Sequence, residues 1–312
     1  MFADQTSLSE ARSIVDHAQQ NGCNFIDTAD VYSFGKSEVM TGELIKASRN
    51  KWILASKVGN SMSDNINERN YSRAWMLRAC EDSLSRLQTD HLDIYYMHRD
   101  FNGLHLEEPL RAIESLLRDG KIRYWGLSNF RGWRIAEVMR LCQQLNMPAP
   151  VVCQPYYNLL NRLPEVEILE ACNHYGMGVA SYSPIARGIL TGKYAPGAAP
   201  LPDSRLARGD KRILETEYRK ESLEIVQKLS ARCEEKGIHL SHFALAWVLA
   251  NRTVTSVIGG PRTLTQWQDY WGALEVNITP EDEEFVNQLV SPGHPSTPGY
   301  NDPSYPLLAR RD

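Results

Sequence analysis

The chain of 312 residues is 42% apolar and 23% charged, with a formal net charge of −4 and its glycines and prolines scattered. That composition excludes the disordered and collagen-like classes and predicts one domain spanning residues 1–312 with a continuous core. It holds no apolar run near the ~20 residues of a membrane span, no signal-peptide start, and no basic stripe suited to nucleic acid or an anionic membrane.

In chain order, Ser7-x-x-Glu10 reads as a capping box opening a helix whose apolar positions Leu8, Ala11, Ile14, Val15 and Ala18 share one face. Gly22 ends it, and a short run, Cys23–Ile26, follows. Strand-like runs then recur at Trp52–Lys57, Leu92–Met97, Ile122–Leu127, Val151–Gln154, Gly178–Tyr182 and Thr253–Ile258. Helix-period stretches separate them, such as Leu77, Cys80, Leu84, Leu87 and Leu110, Ile113, Leu116, Leu117. Nearly continuous apolar strands alternating with helices predict a parallel sheet covered by helices. An irregular stretch is expected from Pro184 to about Tyr218, carrying Gly188, Gly192, Pro196, Gly197, Pro200, Pro202 and Gly209. One helix is predicted over Thr263–Leu274. Another begins at Thr279 as N-cap with Pro280 in its first position. The tail Ser291–Asp312, rich in Pro and Tyr, is expected to lie across the active-site face.

A parallel sheet is either open and doubly wound or closed as a barrel. An open dinucleotide-binding sheet calls for G-x-G-x-x-G after its first strand, and the chain has none. Instead, strand after strand ends in a polar residue: Asp27, Lys57, His98, Ser128-Asn129, Gln154, Ser183. In a (β/α)8 (TIM) barrel those ends converge on the face that carries chemistry, so the barrel is the reading.

These strand ends sit in a series of motifs: F-I-D-T-A-D-x-Y at 25–32, a strand closing in Lys57, another closing in His98, then G-L-S-N-F at 126–130. Q-P-Y-Y-N-L at 154–159, S-Y-S-P at 181–184 and L-T-G-K-Y at 190–194 follow. In this order and spacing the chain resembles the aldo-keto reductase family over essentially its whole length. The family's Asp, Tyr, Lys, His tetrad falls on Asp27, Tyr32, Lys57 and His98.

Elementary chemistry gives those four a task. Reducing a carbonyl with a hydride leaves an alkoxide that must be protonated as it forms. A tyrosine holds its proton at neutral pH, its free pKa being about 10, and a neighbouring cation makes that proton easier to release. Tyr32 is thus the general acid, Lys57 its tuner, Asp27 the anchor of Lys57, and His98 a donor that orients and polarises the substrate oxygen.

The resemblance also implies NADP(H) as cofactor. Ser128, Asn129 and Gln154 would clamp the nicotinamide carboxamide, whose one acceptor and two donors suit hydroxyl and amide groups. Tyr182 offers a flat ring for stacking. Ser183 to Lys193 looks like the family's pyrophosphate strap: Ser183, Pro184, Gly188 and Leu190 bring backbone close, and Lys193 or Arg187 offsets phosphate charge. Gly260 and Arg262 lead into a helix bearing Gln266. The matching arginine in similar reductases holds a 2′-phosphate, and a guanidinium fork there favours NADPH over NADH. Where the family commonly has Glu/Asp-Asn, this chain has Asp269-Tyr270. Asp269 stays a candidate contact, and adenine is either stacked or held more weakly.

The remaining histidines lack metal-binding spacing, so no metal is expected. The six cysteines form no C-x-x-C pair, which points to idle thiols in the cytoplasm. The substrate is a small carbonyl compound, shaped for by the loops Gly59–Asn70 and Arg99–Glu107 and by the tail; nothing in the sequence sets an oligomeric state. The alternative is a cofactor-binding interaction protein, because the β subunits of voltage-gated potassium channels resemble this family and retain the tetrad. One strand is wanting: seven strands are expected, and the family's first strand and preceding hairpin have no counterpart before Met1-Phe2 and the first helix. A truncated start or a true seven-stranded variant would account for it, with exposed edges beside Asp27 and the last strand.

Overall fold

The computed structural model describes residues 2–194, 197, 199–202 and 204–306. Met1, Pro196 and residues 307–312 of the tail, which the sequence reading includes, lie outside the described residues.

Among these, seven strands form one sheet in the order β1 to β7: β1 Phe25–Asp27, β2 Ile53–Val58, β3 Leu92–Met97, β4 Ile122–Ser128, β5 Val152–Gln154, β6 Gly178–Tyr182 and β7 Ser256–Ile258. The ladders from β1 through β6 are parallel, with Phe25 opposite Ile53, Ala55 opposite Ile94, Tyr96 opposite Gly126, and Ser128 opposite Gln154. Strand order equals chain order, with no reversal, so the fold class is that of the (β/α)8 barrel rather than the doubly wound sheet.

The helices are α1 Leu8–Gln20, α2 Lys36–Ile45, α3 Arg73–Leu87, α4 Glu107–Arg118, α5 Gly132–Gln144, α6 Ile168–Tyr175, α7 Lys211–Thr216, α8 Lys220–Glu235, α9 Leu240–Ala250, α10 Leu264–Tyr270 and α11 Pro280–Leu289. Ser7 caps α1 by accepting from the Glu10 N–H at 3.3 Å, but the Glu10 carboxylate accepts from the Leu264 N–H instead of closing the box. Thr279 and Asp282 do form a reciprocal capping box at the start of α11. The helix expected over 263–274 is shorter, giving way at Trp271 to a 3-10 turn through Glu275. The stretch expected to be irregular contains a kinked 3-10 segment, Ala186–Thr191, and α7. Asp210 starts α7 by accepting from the Arg212 and Ile213 N–H groups.

Chain packing divides the described residues into two compact units. The first comprises Met1–Pro155, Glu167–Ala180 and Gly260–Gln268; the second comprises Tyr156–Val166, Ser181–Gly259 and Asp269–Asp312. The first unit's core is built on strand residues buried on both faces, such as Leu54, Tyr95, Tyr96, Leu127 and Cys153, closed by Ile113 and Ile135 from the helices. Each such side chain stabilises by about 1.5–3 kcal/mol through burial. Gly126 is required there: a Cβ would come within 2.6 Å of the Val152 carbonyl and 2.7 Å of the Tyr96 ring. In the second unit Phe243, Leu245, Trp247 and Val248 on α9 pack with Leu229, Ile189 and Leu190 among the buried residues. No helix among the described residues is long and apolar enough to cross a membrane.

Candidate active site

Within the first unit, β1 and β2 end side by side, which sets Asp27 beside Lys57. Lys57 is fully buried, and its three N–H bonds have three acceptors: Asp27 Oδ1, the Thr28 carbonyl at 2.8 Å and the Tyr32 hydroxyl at 3.4 Å. Because the Tyr32 oxygen accepts from the ammonium, its own proton is left for another acceptor. Burial pulls the Lys57 ammonium toward deprotonation, but Asp27 and Tyr32 outweigh that and hold it above its ordinary value. The other oxygen of Asp27 accepts from the Gln154 amide at 2.9 Å.

His98 lies beyond the end of β3, its N–H donating to the Val58 carbonyl at 2.9 Å. Its ring meets Tyr32 edge-on, with centroids 5.8 Å apart. Its Nδ1 is buried without a hydrogen-bond partner. Burial first, then the charges of Lys57 and Arg99, drive its pKa well below the usual value. The imidazole is therefore neutral at physiological pH and carries one N–H to donate.

The three residues read as an amide clamp are wired into this centre. Ser128 Oγ donates to the Gln154 carbonyl at 2.8 Å, while the Asn129 amide donates to Ser128 Oγ at 3.0 Å and to the His98 carbonyl at 2.9 Å. Asn129 is in the left-handed region, φ 59°, which turns the chain sharply after β4. Ser128 and Gln154 are buried, and Asn129 is partly exposed. At the far end of this unit, the Gln266 side chain accepts from the Arg262 N–H at 2.9 Å, and Thr6 donates to the Arg262 carbonyl at 3.2 Å. Gly260 is exposed and Arg262 partly so.

The loops flanking His98 are tied to one another. The Tyr71 hydroxyl donates to the Arg99 carbonyl at 2.6 Å and accepts from the Arg99 N–H at 3.0 Å. Arg134 reaches from α5 to Asp100 at 3.2 Å and to the Leu104 carbonyl.

In the second unit, Tyr182 lies against Tyr156, ring centroids 5.5 Å apart. The strap that follows runs through left-handed backbone at Ser183, Ala186, Arg187 and Gly188, and Asn158 donates to the Ser183 carbonyl at 3.0 Å. Pro184, Gly188 and Leu190 are buried. The N–H groups of Gly188 and Leu190 donate to the Ile185 carbonyl. Lys193 is exposed, and its Nζ would lie 3.1 Å from a Cβ at Gly188. Arg187 is committed to Glu217 at 3.1 Å, a buried carboxylate that also accepts from the Tyr156 hydroxyl at 2.7 Å and from Thr216. Asp269, also exposed, accepts from His242 at 3.0 Å and Ser241 at 3.4 Å. The described part of the tail is held by Arg219, which donates to Thr297 and Ser296, and by Arg212, which pairs with Asp302 at 2.7 Å.

Asp27, Tyr32, Lys57 and His98 thus lie together in the first unit, and two residues that hold candidate side chains, Thr28 for Lys57 and Glu217 for Arg187, carry no signal in the sequence. Thr28 contributes only a carbonyl, and Glu217 sits in a segment without periodic pattern. Among the described residues no group of three or more His, Cys, Asp or Glu side chains is placed to hold a metal ion.

Compared with known families, residues 1–290 match the Aldo/keto reductase family. An uncharacterised oxidoreductase of Bacillus subtilis (strain 168), YrpG, is 36% identical over 299 residues, 92% of this chain and 89% of the relative. Proteins named probable voltage-gated potassium channel subunit beta are 32% identical in Arabidopsis thaliana, over 93% of this chain and 90% of the relative, and 31% identical in Oryza sativa subsp. japonica, over 96% and 93%. The chain belongs to the aldo/keto reductase family.

Proposed function

We propose that the protein reduces aldehydes or ketones to alcohols with NADPH in the cytoplasm. The observation that carries this reading is the Tyr32 hydroxyl, which accepts from a buried, charged Lys57 and keeps its own proton available. NADPH, when bound, supplies the hydride. Tyr32 gives its proton to the carbonyl oxygen as negative charge develops there, and Lys57 stabilises the phenolate that remains. Asp27 and the Thr28 carbonyl fix the ammonium, and the single N–H of neutral His98 orients the substrate oxygen. The donor set suits the cofactor: partly exposed Asn129 would meet the carboxamide with Ser128 and Gln154 holding it from behind, and Arg262 would hold the 2′-phosphate with Gly260 and Gln266 shaping its loop. On the second unit's strap, exposed Lys193 or Arg187 would offset pyrophosphate charge, and Tyr182 would supply a stacking face.

Tyr32→Phe is expected to keep NADPH binding, read by fluorescence titration, and to lose single-turnover oxidation of NADPH by an aromatic aldehyde. Arg262→Ala is expected to weaken NADPH about tenfold or more relative to NADH, as loss of a charge-assisted contact implies; equal weakening of both would remove the 2′-phosphate assignment. The plant relatives named as channel subunits favour a second reading, a cofactor-binding interaction protein. Tight NADPH binding with no turnover of any aldehyde in the wild type would select it.

A further inference from the structure

Behind Lys57, the two cations whose charge reaches Asp30 are each already paired with another carboxylate. Lys57 is matched to Asp27. Arg86 on α3 is matched to the fully buried Glu38 on α2 at 2.6 Å, and Ser56 donates to the other Glu38 oxygen. Asp30 is left over. It is 1% exposed, its Oδ1 accepts only the Val31 N–H at 2.6 Å, and its Oδ2 is buried with no hydrogen-bond partner. Its backbone N–H donates to the Lys57 carbonyl at 3.3 Å, fixing it against the strand that carries the lysine. An ionised carboxylate so placed would be an uncompensated buried charge, and such a group takes up a proton instead.

We propose that Asp30 is held as a neutral carboxylic acid and is a positioning residue for the reduction, its ionisation in alkaline solution weakening Tyr32 as proton donor through Lys57. This rests on the reading of Tyr32 as the general acid. Burial, then the Glu38 carboxylate, push Asp30 up to about 8, against the Val31 N–H, Arg86 and Lys57. The other groups facing it are the buried phenols Tyr71, ahead of α3, and Tyr95 on β3, whose own hydroxyl is without a partner. While Asp30 is neutral, Lys57 answers to a single carboxylate, and its remaining field favours the phenolate at Tyr32. An ionised Asp30 cancels part of that field, so Tyr32 holds its proton more tightly.

Asp30→Asn keeps the shape and the acceptor for Val31 but cannot ionise. In the unfolded chain an aspartate titrates near 3.9, whereas in the folded protein Asp30 titrates at about 8. Between those values the folded state binds a proton that the unfolded state lacks, so wild-type stability falls as pH rises through the window and levels off above it. The asparagine variant escapes that fall. Its Tm, measured against wild type from about pH 5 to about pH 9, is expected to gain steadily and then plateau. A difference that does not vary with pH, or a variant weakest at alkaline pH, overturns the neutral acid. Asp30→Ser, smaller and equally neutral, gives the same readout should the asparagine fold poorly. With NADPH and an aromatic aldehyde, the alkaline fall in kcat is expected to move to higher pH in Asp30→Asn, and a superimposable profile overturns the link to Tyr32. Turnover that survives Tyr32→Phe removes Tyr32 as the general acid instead, and the Tm test of Asp30 stands apart from it.

Discussion

The two units each bring a tyrosine, a cation and a carboxylate together, and they wire them in opposite senses. In the first, Lys57 donates to the Tyr32 oxygen, and Asp27 accepts from the lysine and from Gln154. In the second, Tyr156 donates its proton to Glu217, and Arg187 touches the same carboxylate. Burial, then Glu217, raise the Tyr156 pKa well above its ordinary value, because ionising the phenol would set two negative charges together. The ingredients are alike and the chemistry is not: a tyrosine facing a cation can give up its proton, and one facing a carboxylate keeps it. Lysine suits the first arrangement, since its compact ammonium divides three N–H bonds among three acceptors. Arginine suits the second, staying charged while it holds a loop.

The strongest break between the two is chemical. Tyr32→Phe should lower single-turnover reduction by about 10²–10⁴-fold, the range for a lost general acid, while Tyr156→Phe should leave that step within about twofold. Rapid-mixing measurement of NADPH oxidation decides it. A comparable loss in both variants would mean that hydrogen-bond direction does not separate the two tyrosines.

The first trio was legible in the chain and the second was not, for a physical reason. A parallel sheet brings strand ends together, so a polar residue closing an apolar run, as in Asp27, Lys57 and His98, announces where it will sit. Gln154 was legible as a strand end too, but its bond to Asp27 spans 127 positions and needed coordinates. Glu217 follows the six-residue α7, too short to show a periodic face, in a stretch dominated by Gly and Pro. Its pairing with Arg187, 30 positions away, depends on left-handed backbone at Arg187 itself, which an arginine does not advertise. Glu10 is the converse: its spacing from Ser7 suggests a local box, and a distant N–H claims its carboxylate.

The next contrast is in stability. Lys57→Met and Arg187→Met each leave a buried carboxylate without its cation, a loss of about 3–5 kcal/mol for a broken buried pair. Both deficits should shrink as pH falls, because the stranded carboxylate takes up a proton and ceases to be a buried charge. Urea denaturation at neutral and acidic pH measures this. Only Lys57→Met should also abolish the chemical step; Arg187→Met should loosen the strap and raise the apparent KM for NADPH.

The finest comparison removes one neutral donor from each carboxylate. Gln154→Met takes the amide from Asp27, and Tyr156→Phe takes the hydroxyl from Glu217. A hydrogen bond to a charged group contributes about 1.5–3 kcal/mol, and each carboxylate keeps its cation, so the two variants should lose similar stability in thermal melts. Their turnover should differ. Asp27 sets the position of Lys57 against Tyr32, and a misplaced ammonium is expected to lower kcat about tenfold, whereas Glu217 orients residues that give no proton. Equal stability losses with unequal kcat would assign the functional difference to what each carboxylate holds; a matched fall in kcat would mean that the Tyr156–Glu217 contact also reaches the reacting groups.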